Sequence, residues 1–432
     1  MKLKQALLHN TGWKMIAMLF TLLNNILIVR ILGVETSAVF FYAFAIFILL
    51  STVLKLGLEN GIVYFLSKNP EQTKSVTFFL SIVFIIQTII ALIILKYFIS
   101  ETLGFNIFWV VVFIVCNILL YYINAFYQVK KMFISLNICS CAIVILQTVM
   151  LTILYVTPVN FLIKFGFANT AKDKIMVISG AAILLQMVLL IIFFYLANKN
   201  DFKQPFSNNG LFKKLFSYSF LNFIITVLFF LVLRADFYFV GKYCNKISLS
   251  NYLQSAKIGQ MLLIFPGLIA GVIFPYTINE PQILAGKVAY LCRFLTFIYL
   301  LIYVVFLLTG NFVFTWLLGP DFKLMYEIFA VSFFGIYCLS INLLFISYFE
   351  GINKLKIILL SLAVTFMMLI FLNFLFIPSY GYMAAAYVFS MSNFLGLLIL
   401  FKKFRSTTEI LITDILFIKK SDWSKLTFKN TL

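Results

Sequence analysis

Charge, histidine and long polar stretches are what this sequence has little of. Only 11% of its 432 residues are charged while 63% are hydrophobic, and the mean hydropathy is +1.08. A chain so apolar over that length excludes a water-soluble protein. His9 is the one histidine, which leaves no second imidazole for a metal centre or a catalytic pair. The six cysteines, Cys116, Cys139, Cys141, Cys244, Cys292 and Cys338, lack paired metal spacing. Cys139 and Cys141 stand about 200° apart on a helix and read as packing residues. Two Gly-Lys pairs, at Gly241 and Gly286, run on into Tyr243 and Val288. Neither is a phosphate-binding loop, so nothing points to nucleotide hydrolysis.

What is present is a succession of apolar runs, each long enough to cross a hydrocarbon core of about 30 Å as helix. They predict twelve spans, at 10–33, 37–66, 75–98, 106–127, 133–157, 175–197, 215–241, 249–277, 287–310, 324–349, 354–377 and 380–404. Runs of this length exclude a transmembrane β-barrel, whose strands alternate over roughly 10 residues. The first run has no small-residue cleavage pattern behind it and reads as a retained helix. The expected fold class is all-α, a polytopic membrane protein of about 12 transmembrane helices, with little mass left over for a catalytic domain.

Lysine and arginine orient it. With the N-terminus inside, 21 of the 33 basic residues fall in cytoplasmic segments and eight on the other side, namely Arg30, Lys96, Lys164, Lys172, Lys174, Lys242, Lys246 and Lys323. Both termini are therefore expected in the cytoplasm. The formal net charge of +19 is spread over loops, which suits anionic membrane lipids and argues against a nucleic-acid partner.

The longest polar interruption, "NKNDFKQPFSNNGLFKK" (Asn198 to Lys214), divides the spans six and six. The expected organisation is an N-terminal lobe over 1–198, a cytoplasmic linker over 199–214, a C-terminal lobe over 215–404 and a basic tail over 405–432. Weak echoes join the halves: span six opens on Gly180-Ala181-Ala182 and span twelve on Ala384-Ala385-Ala386, and "YQVKK" at 127–131 matches "EGINKLK" at 350–356. An even number of spans per half gives a parallel repeat, a transporter feature. In the tail, "EILITDILFIKK" (409–420) is too short to span and is expected to lie on the cytoplasmic interface.

An ion near the bilayer centre costs about 3 kcal/mol, so intramembrane charges are the candidate functional residues. "KLGLENG" holds Lys55, Glu59 and Asn60; Lys55 and Glu59, four apart, share a helix face and can neutralise one another. In "RAD" (234–236), Arg234 and Asp236 are about 200° apart on an ideal helix, so each needs its own partner. Lys257 returns to about the depth of Arg234, which makes Asp236 to Lys257 the expected contact. With Lys14 and Lys55 toward the cytoplasm and Arg234, Lys257 and Arg30 toward the exterior, the spans carry a ladder of cations suited to an anion in transit. Glu59 and Asp236 read as coupling groups for H+ or Na+, or as partners in charge pairs. Lys14 and Arg30 read equally as snorkelling interface residues. Asn60, Gln254 and Gln260 are candidate contacts for sugar hydroxyls, although such residues more often join helices. Pro266, Gly267, Gly271 and Pro275 are expected to bend or break span eight.

Taken in order, several segments resemble the Wzx-type polysaccharide flippases of the multidrug/oligosaccharidyl-lipid/polysaccharide (MOP) exporter superfamily. These are "VRILGVETSAVFF" (Val29 to Phe41), "LKLGLENGIVYFLSK" (Leu54 to Lys68), "RADFYFVGKY" (Arg234 to Tyr243), "YLQSAKI" (Tyr252 to Ile258), "FPGLIAGVIFP" (Phe265 to Pro275) and "YGYMAAAYVFS" (Tyr380 to Ser390). The last departs from the family at Ala384, where Gly is common. The resemblance implies a two-lobed, MATE-like transporter of the bacterial inner membrane and not an enzyme. It would carry an undecaprenyl-diphosphate-linked oligosaccharide, such as an O-antigen unit of lipopolysaccharide, to the periplasmic leaflet by alternating access. The diphosphate would meet the cations Arg234, Lys257, Lys55, Lys14 and Arg30. The implied partners are the lipid-linked sugar, membrane lipids and other polysaccharide-assembly proteins; no cofactor is implied beyond a coupling ion. The alternatives are an exporter of another amphiphilic substrate in the superfamily, or a membrane-embedded polysaccharide polymerase or ligase. Against the latter, the longest external segment (157–174) offers only Asp173 as an acid or base.

Overall fold

The structure, a computed structural model, describes residues 3–68, 70–99, 105–130, 132–156, 170–199, 211–277 and 281–411. The expected interfacial stretch at 409–420, the basic tail and the linker at 199–214 lie largely outside the described residues.

The described chain is helical, without strands. Its helices are α1 Leu3–Leu54, α2 Leu58–Lys68, α3 Thr73–Ile94, α4 Ile107–Val129, α5 Phe133–Val156, α6 Ala171–Ala197, α7 Leu211–Val232, α8 Asp236–Tyr243, α9 Lys246–Leu262, α10 Ile264–Thr277, α11 Pro281–Leu318, α12 Leu324–Gly351 and α13 Leu355–Thr408. Ten helical runs are long and apolar enough to cross a membrane, which makes this a multi-pass membrane protein.

Two of the ten runs are double. Straight, the 52 residues of α1 would reach about 78 Å, well beyond the roughly 40–45 Å of a whole bilayer. Gly33 (φ 71°, ψ 176°) interrupts it, a backbone conformation that an L side chain resists. Gly381 (φ 65°) does the same in α13. There Ser361 donates to the Gly396 carbonyl at 2.9 Å, joining residues that a straight helix would hold about 52 Å apart. Each run therefore folds into two spans, and the twelve expected crossings are accounted for.

Contacts divide the chain into two compact units, Met1–Phe230 and Leu231–Leu432. The division falls within span seven, and packing explains where it falls. Leu215 of α7 is fully buried in the first unit's core with Leu54, Leu58 and Ile62. A Cβ on Gly57 would come within 2.7 Å of the Ser219 carbonyl oxygen. Gly57 and Gly61 form a Gly-x-x-x-Gly pair that lets α7 approach the backbone, as small residues do between membrane helices.

The halves share a connection as well as an echo in sequence. After α4, the Lys130 amide bonds the Phe126 carbonyl (3.1 Å) and the Met132 amide bonds Tyr127 (2.9 Å). After α12, Ile352 bonds Tyr348 (3.2 Å) and Lys354 bonds Phe349 (2.8 Å) in the same pattern. Span six differs from its expected start. Thr170 and Asp173 form a capping box, which draws Lys172, Asp173 and Lys174 into the first turn and leaves Gly180 well inside α6. Span eight breaks at Leu263, between α9 and α10, so Pro266 lands in the first turn of α10, where its missing N–H does little harm.

Candidate functional site

In the first unit the site forms where span two breaks. Leu56 (φ 54°) and Gly57 (φ 65°) take left-handed conformations, ending α1 one residue short of Lys55. The interruption frees carbonyls that would otherwise bond along the helix. Gln87 of α3 donates its amide to the Leu54 carbonyl at 2.7 Å. The Tyr122 hydroxyl of α4 lies 3.0 Å from the Gln87 amide oxygen and 3.4 Å from the Lys55 carbonyl.

Lys55, only 5% exposed, meets Glu59 at 2.6 Å. Its ammonium also sits 3.9 Å from the centre of the Tyr121 ring, a cation–π contact strengthened by exclusion of water. The expected pair between Lys55 and Glu59 is thus formed, across a helix break. The second carboxylate oxygen of Glu59 is buried with no hydrogen-bond partner among the described residues. The side chain of Asn60 lies outside the description. Lys14 and Arg30 are exposed on α1.

In the second unit the site forms where span seven breaks, over Leu233, Arg234 and Ala235. No residue there needs a positive φ; the amides of Arg234, Phe237 and Tyr238 each bond three residues back, at 3.1–3.3 Å. Arg234 donates through Nη2 to the Gln260 side-chain oxygen of α9 at 3.2 Å and is half-buried. Lys257 lies one turn before Gln260 on α9, and Arg234 is close enough to act electrostatically on both Lys257 and Asp236.

Asp236 is 1% exposed and turns the other way. Its carboxylate accepts a short hydrogen bond from Tyr252 and one from the Phe237 amide at 3.0 Å. The expected contact with Lys257 is replaced by the Tyr252 hydroxyl, because the break sends residue 236 toward α9's buried face and not along the helix of residue 234. Beside Asp236, Tyr252, Gln260 and Ser332 is a cavity of about 20 Å³, room for one water. Gln254 is fully buried.

Gln87 carries a signal in the sequence, a polar residue within an apolar run. Tyr121, Tyr122 and Tyr252 carry none, because 22 tyrosines in an aromatic-rich membrane chain offer no local signal. No group of three or more His, Cys, Asp or Glu capable of holding a metal occurs among the described residues.

No family model and no curated protein matches the sequence. Solved structures do match, over nearly the whole chain. It is similar to the lipid II flippase MurJ in an inward closed conformation, with a TM-score of 0.69 at 15% identity, covering 98% of this chain and 93% of that one. It is similar to a MOP-superfamily transporter from Pyrococcus furiosus, with a TM-score of 0.68 at 13% identity, covering 94% and 95%. It is also similar to an outward-facing multidrug resistance MATE family transporter, with a TM-score of 0.66 at 15% identity, covering 94% and 95%. At these identities the likeness is one of fold: the chain has the all-helical architecture of MOP-superfamily transporters.

Proposed function

We propose that the protein is a flippase of the Wzx type in the bacterial inner membrane. It moves an undecaprenyl-diphosphate-linked oligosaccharide, a unit of O-antigen or another surface polysaccharide, from the cytoplasmic to the periplasmic leaflet by alternating access. The observation that carries this reading is Arg234, half-buried at the break of span seven and held by the neutral Gln260 at 3.2 Å, one turn along α9 from Lys257. Cations at this depth in a poorly solvating medium attract an anionic ligand. A diphosphate suits the site because a guanidinium binds phosphate oxygens in pairs while an ammonium supplies a point charge. The Asp236 carboxylate accepts its side-chain hydrogen bond from Tyr252, while Arg234 donates to Gln260. The fold supports the class of cargo, since one of its neighbours is by name a flippase of lipid II.

The test is deletion of the gene and analysis of the lipid-linked intermediates. Accumulation of a complete, unpolymerised undecaprenyl-diphosphate oligosaccharide on the cytoplasmic side is expected. Restoration by Arg234→Lys in part, and by Arg234→Ala not at all, ties the activity to the phosphate site. If Arg234→Ala, inserted normally, restores full surface polysaccharide, the phosphate role is wrong. Accumulation of flipped but unpolymerised units would favour a polymerase, and drug sensitivity without a polysaccharide defect would favour an exporter of another amphiphile.

Coupling to H+ or Na+ is a second part of the proposal, favoured by the water-sized cavity beside Asp236. Flipping in vesicles is expected to respond to an imposed gradient and to lose that response in Asp236→Asn. Gradient-independent flipping in the wild type rules coupling out.

A further inference from the structure

Away from both helix breaks, the first unit carries an apolar groove of about 420 Å³ between α5 and α6, within the roughly 300–1,000 Å³ typical of ligand sites. Its walls run from Leu146 to Leu154 on α5 and from Val177 to Leu185 on α6, about 12 Å of helix on each side. The volume exists because α6 presents Ala181 and Ala182 there, where larger residues would meet α5. Gln147 is the polar side chain in the described lining, and its amide is committed to Ser179 at 3.2 Å. Met150 and Ile153 are 46% and 47% exposed, so the groove opens sideways, toward lipid in a spanning segment.

One end of the groove is charged. Lys174 precedes Val177 by three residues and Ile178 by four, on the same helix face and about 4.5 Å beyond the groove's end. Its neighbours are occupied elsewhere. Lys172 lies over the Phe105 ring at 5.3 Å. Asp173 accepts from the Asn106 amide at 3.0 Å and from Thr170 at 2.8 Å. Lys174 is therefore the cation on the groove's side of that turn.

These dimensions match one leaflet. From Lys174 to Leu185 is about 16 Å of helix, against about 15 Å for half a hydrocarbon core. On that scale a groove ending near the midplane puts residue 174 at headgroup level. By the orientation that the basic residues predict, the leaflet is the outer one. We propose that this groove is a binding site for an anionic phospholipid, with one acyl chain between α5 and α6 and the phosphate on Lys174. A polyprenyl chain, several times longer than the groove, fits it less well.

The test is photo-crosslinking from a benzophenone amino acid at Met150 in the full-length protein. The protein is reconstituted in nanodiscs of phosphatidylcholine containing a minority of labelled phosphatidylglycerol. Labelled lipid is expected in the cross-linked product at about fivefold above its mole fraction, the preference that one lysine near the membrane surface confers. Lys174→Gln should lower the enrichment to the mole fraction, Ala181→Phe should abolish cross-linking of both lipids, and Lys172→Gln should keep the enrichment. Labelling of the wild type at the mole fraction overturns the site. So does an equal loss in Lys172→Gln, which reduces the effect to diffuse surface charge. Displacement of phosphatidylglycerol by an equal amount of undecaprenyl phosphate overturns the assignment of the lipid.

Discussion

The two helix breaks, Leu54 to Leu58 in the first unit and Val232 to Asp236 in the second, handle the same problem in opposite ways. Each puts a cation where the backbone stops being helical. In the first, the charge is closed in: Glu59 neutralises Lys55 at 2.6 Å, Tyr121 covers it, and Gln87 and Tyr122 take up the carbonyls. In the second, the nearby carboxylate is bonded to Tyr252 while still within electrostatic reach of Arg234, which donates to the neutral Gln260. The first cation is enclosed with its counter-ion, whereas the second is held by a neutral side chain. The backbone follows the same division. The first break requires left-handed residues and a close helix contact at Gly57, and the second is made of ordinary tight turns.

The largest expected effect probes the enclosed pair. Lys55→Ala or Glu59→Ala alone leaves a buried charge uncompensated, and each is expected to lower stability by about 3–5 kcal/mol in thermal unfolding of the purified protein. Lys55→Met together with Glu59→Leu should recover most of the loss. Arg234→Ala should stay within about 1 kcal/mol of wild type while transport is lost, and equal stability losses at both breaks would erase the distinction.

Next in size is the glycine contrast. A side chain at Gly57 meets both a left-handed φ and the α7 backbone, so Gly57→Ala is expected to cost about 2–4 kcal/mol. Gly267 opens a second Gly-x-x-x-Gly pair, with Gly271, but its Cβ position meets nothing within 4 Å. Gly267→Ala should be neutral or stabilising by up to about 1 kcal/mol. Thermal shifts of the two variants side by side decide this, and equal costs would contradict the packing difference.

A smaller effect is expected at Tyr252. Tyr252→Phe removes the hydroxyl from a buried carboxylate and should cost about 1.5–3 kcal/mol; a neutral result would mean that water takes the hydroxyl's place. Smallest is Ala235→Gly, expected to lower stability by no more than about 1 kcal/mol, since the second break has no left-handed residue for glycine to favour.

Much of this architecture is legible in the sequence. The length and hydropathy of the runs locate twelve spans, because the bilayer's thickness converts composition directly into helix length. The spacing of Lys55 and Glu59 reveals their pairing, since residues four apart meet on any helix. The partner of Asp236 is not legible, because an ideal-helix wheel does not anticipate a break at residues 233–235, and the choice of Tyr252 over Lys257 depends on that break. The boundary between compact units is hidden for a related reason. Contact with Gly57 and Gly61, which composition does not reveal, packs the start of span seven into the first unit.

The sequence by itself determined that this is an all-helical, multi-pass membrane protein with cations inside its spans, since burial of backbone polar groups in hydrocarbon leaves helix as the solution for such runs. Only the tertiary structure decided which side chains beyond the reach of one helix meet those charges, as Tyr252 meets Asp236 and Gln260 meets Arg234. Such partners are chosen by distances of a few ångströms across helix breaks, and those distances come from packing between segments far apart in the chain.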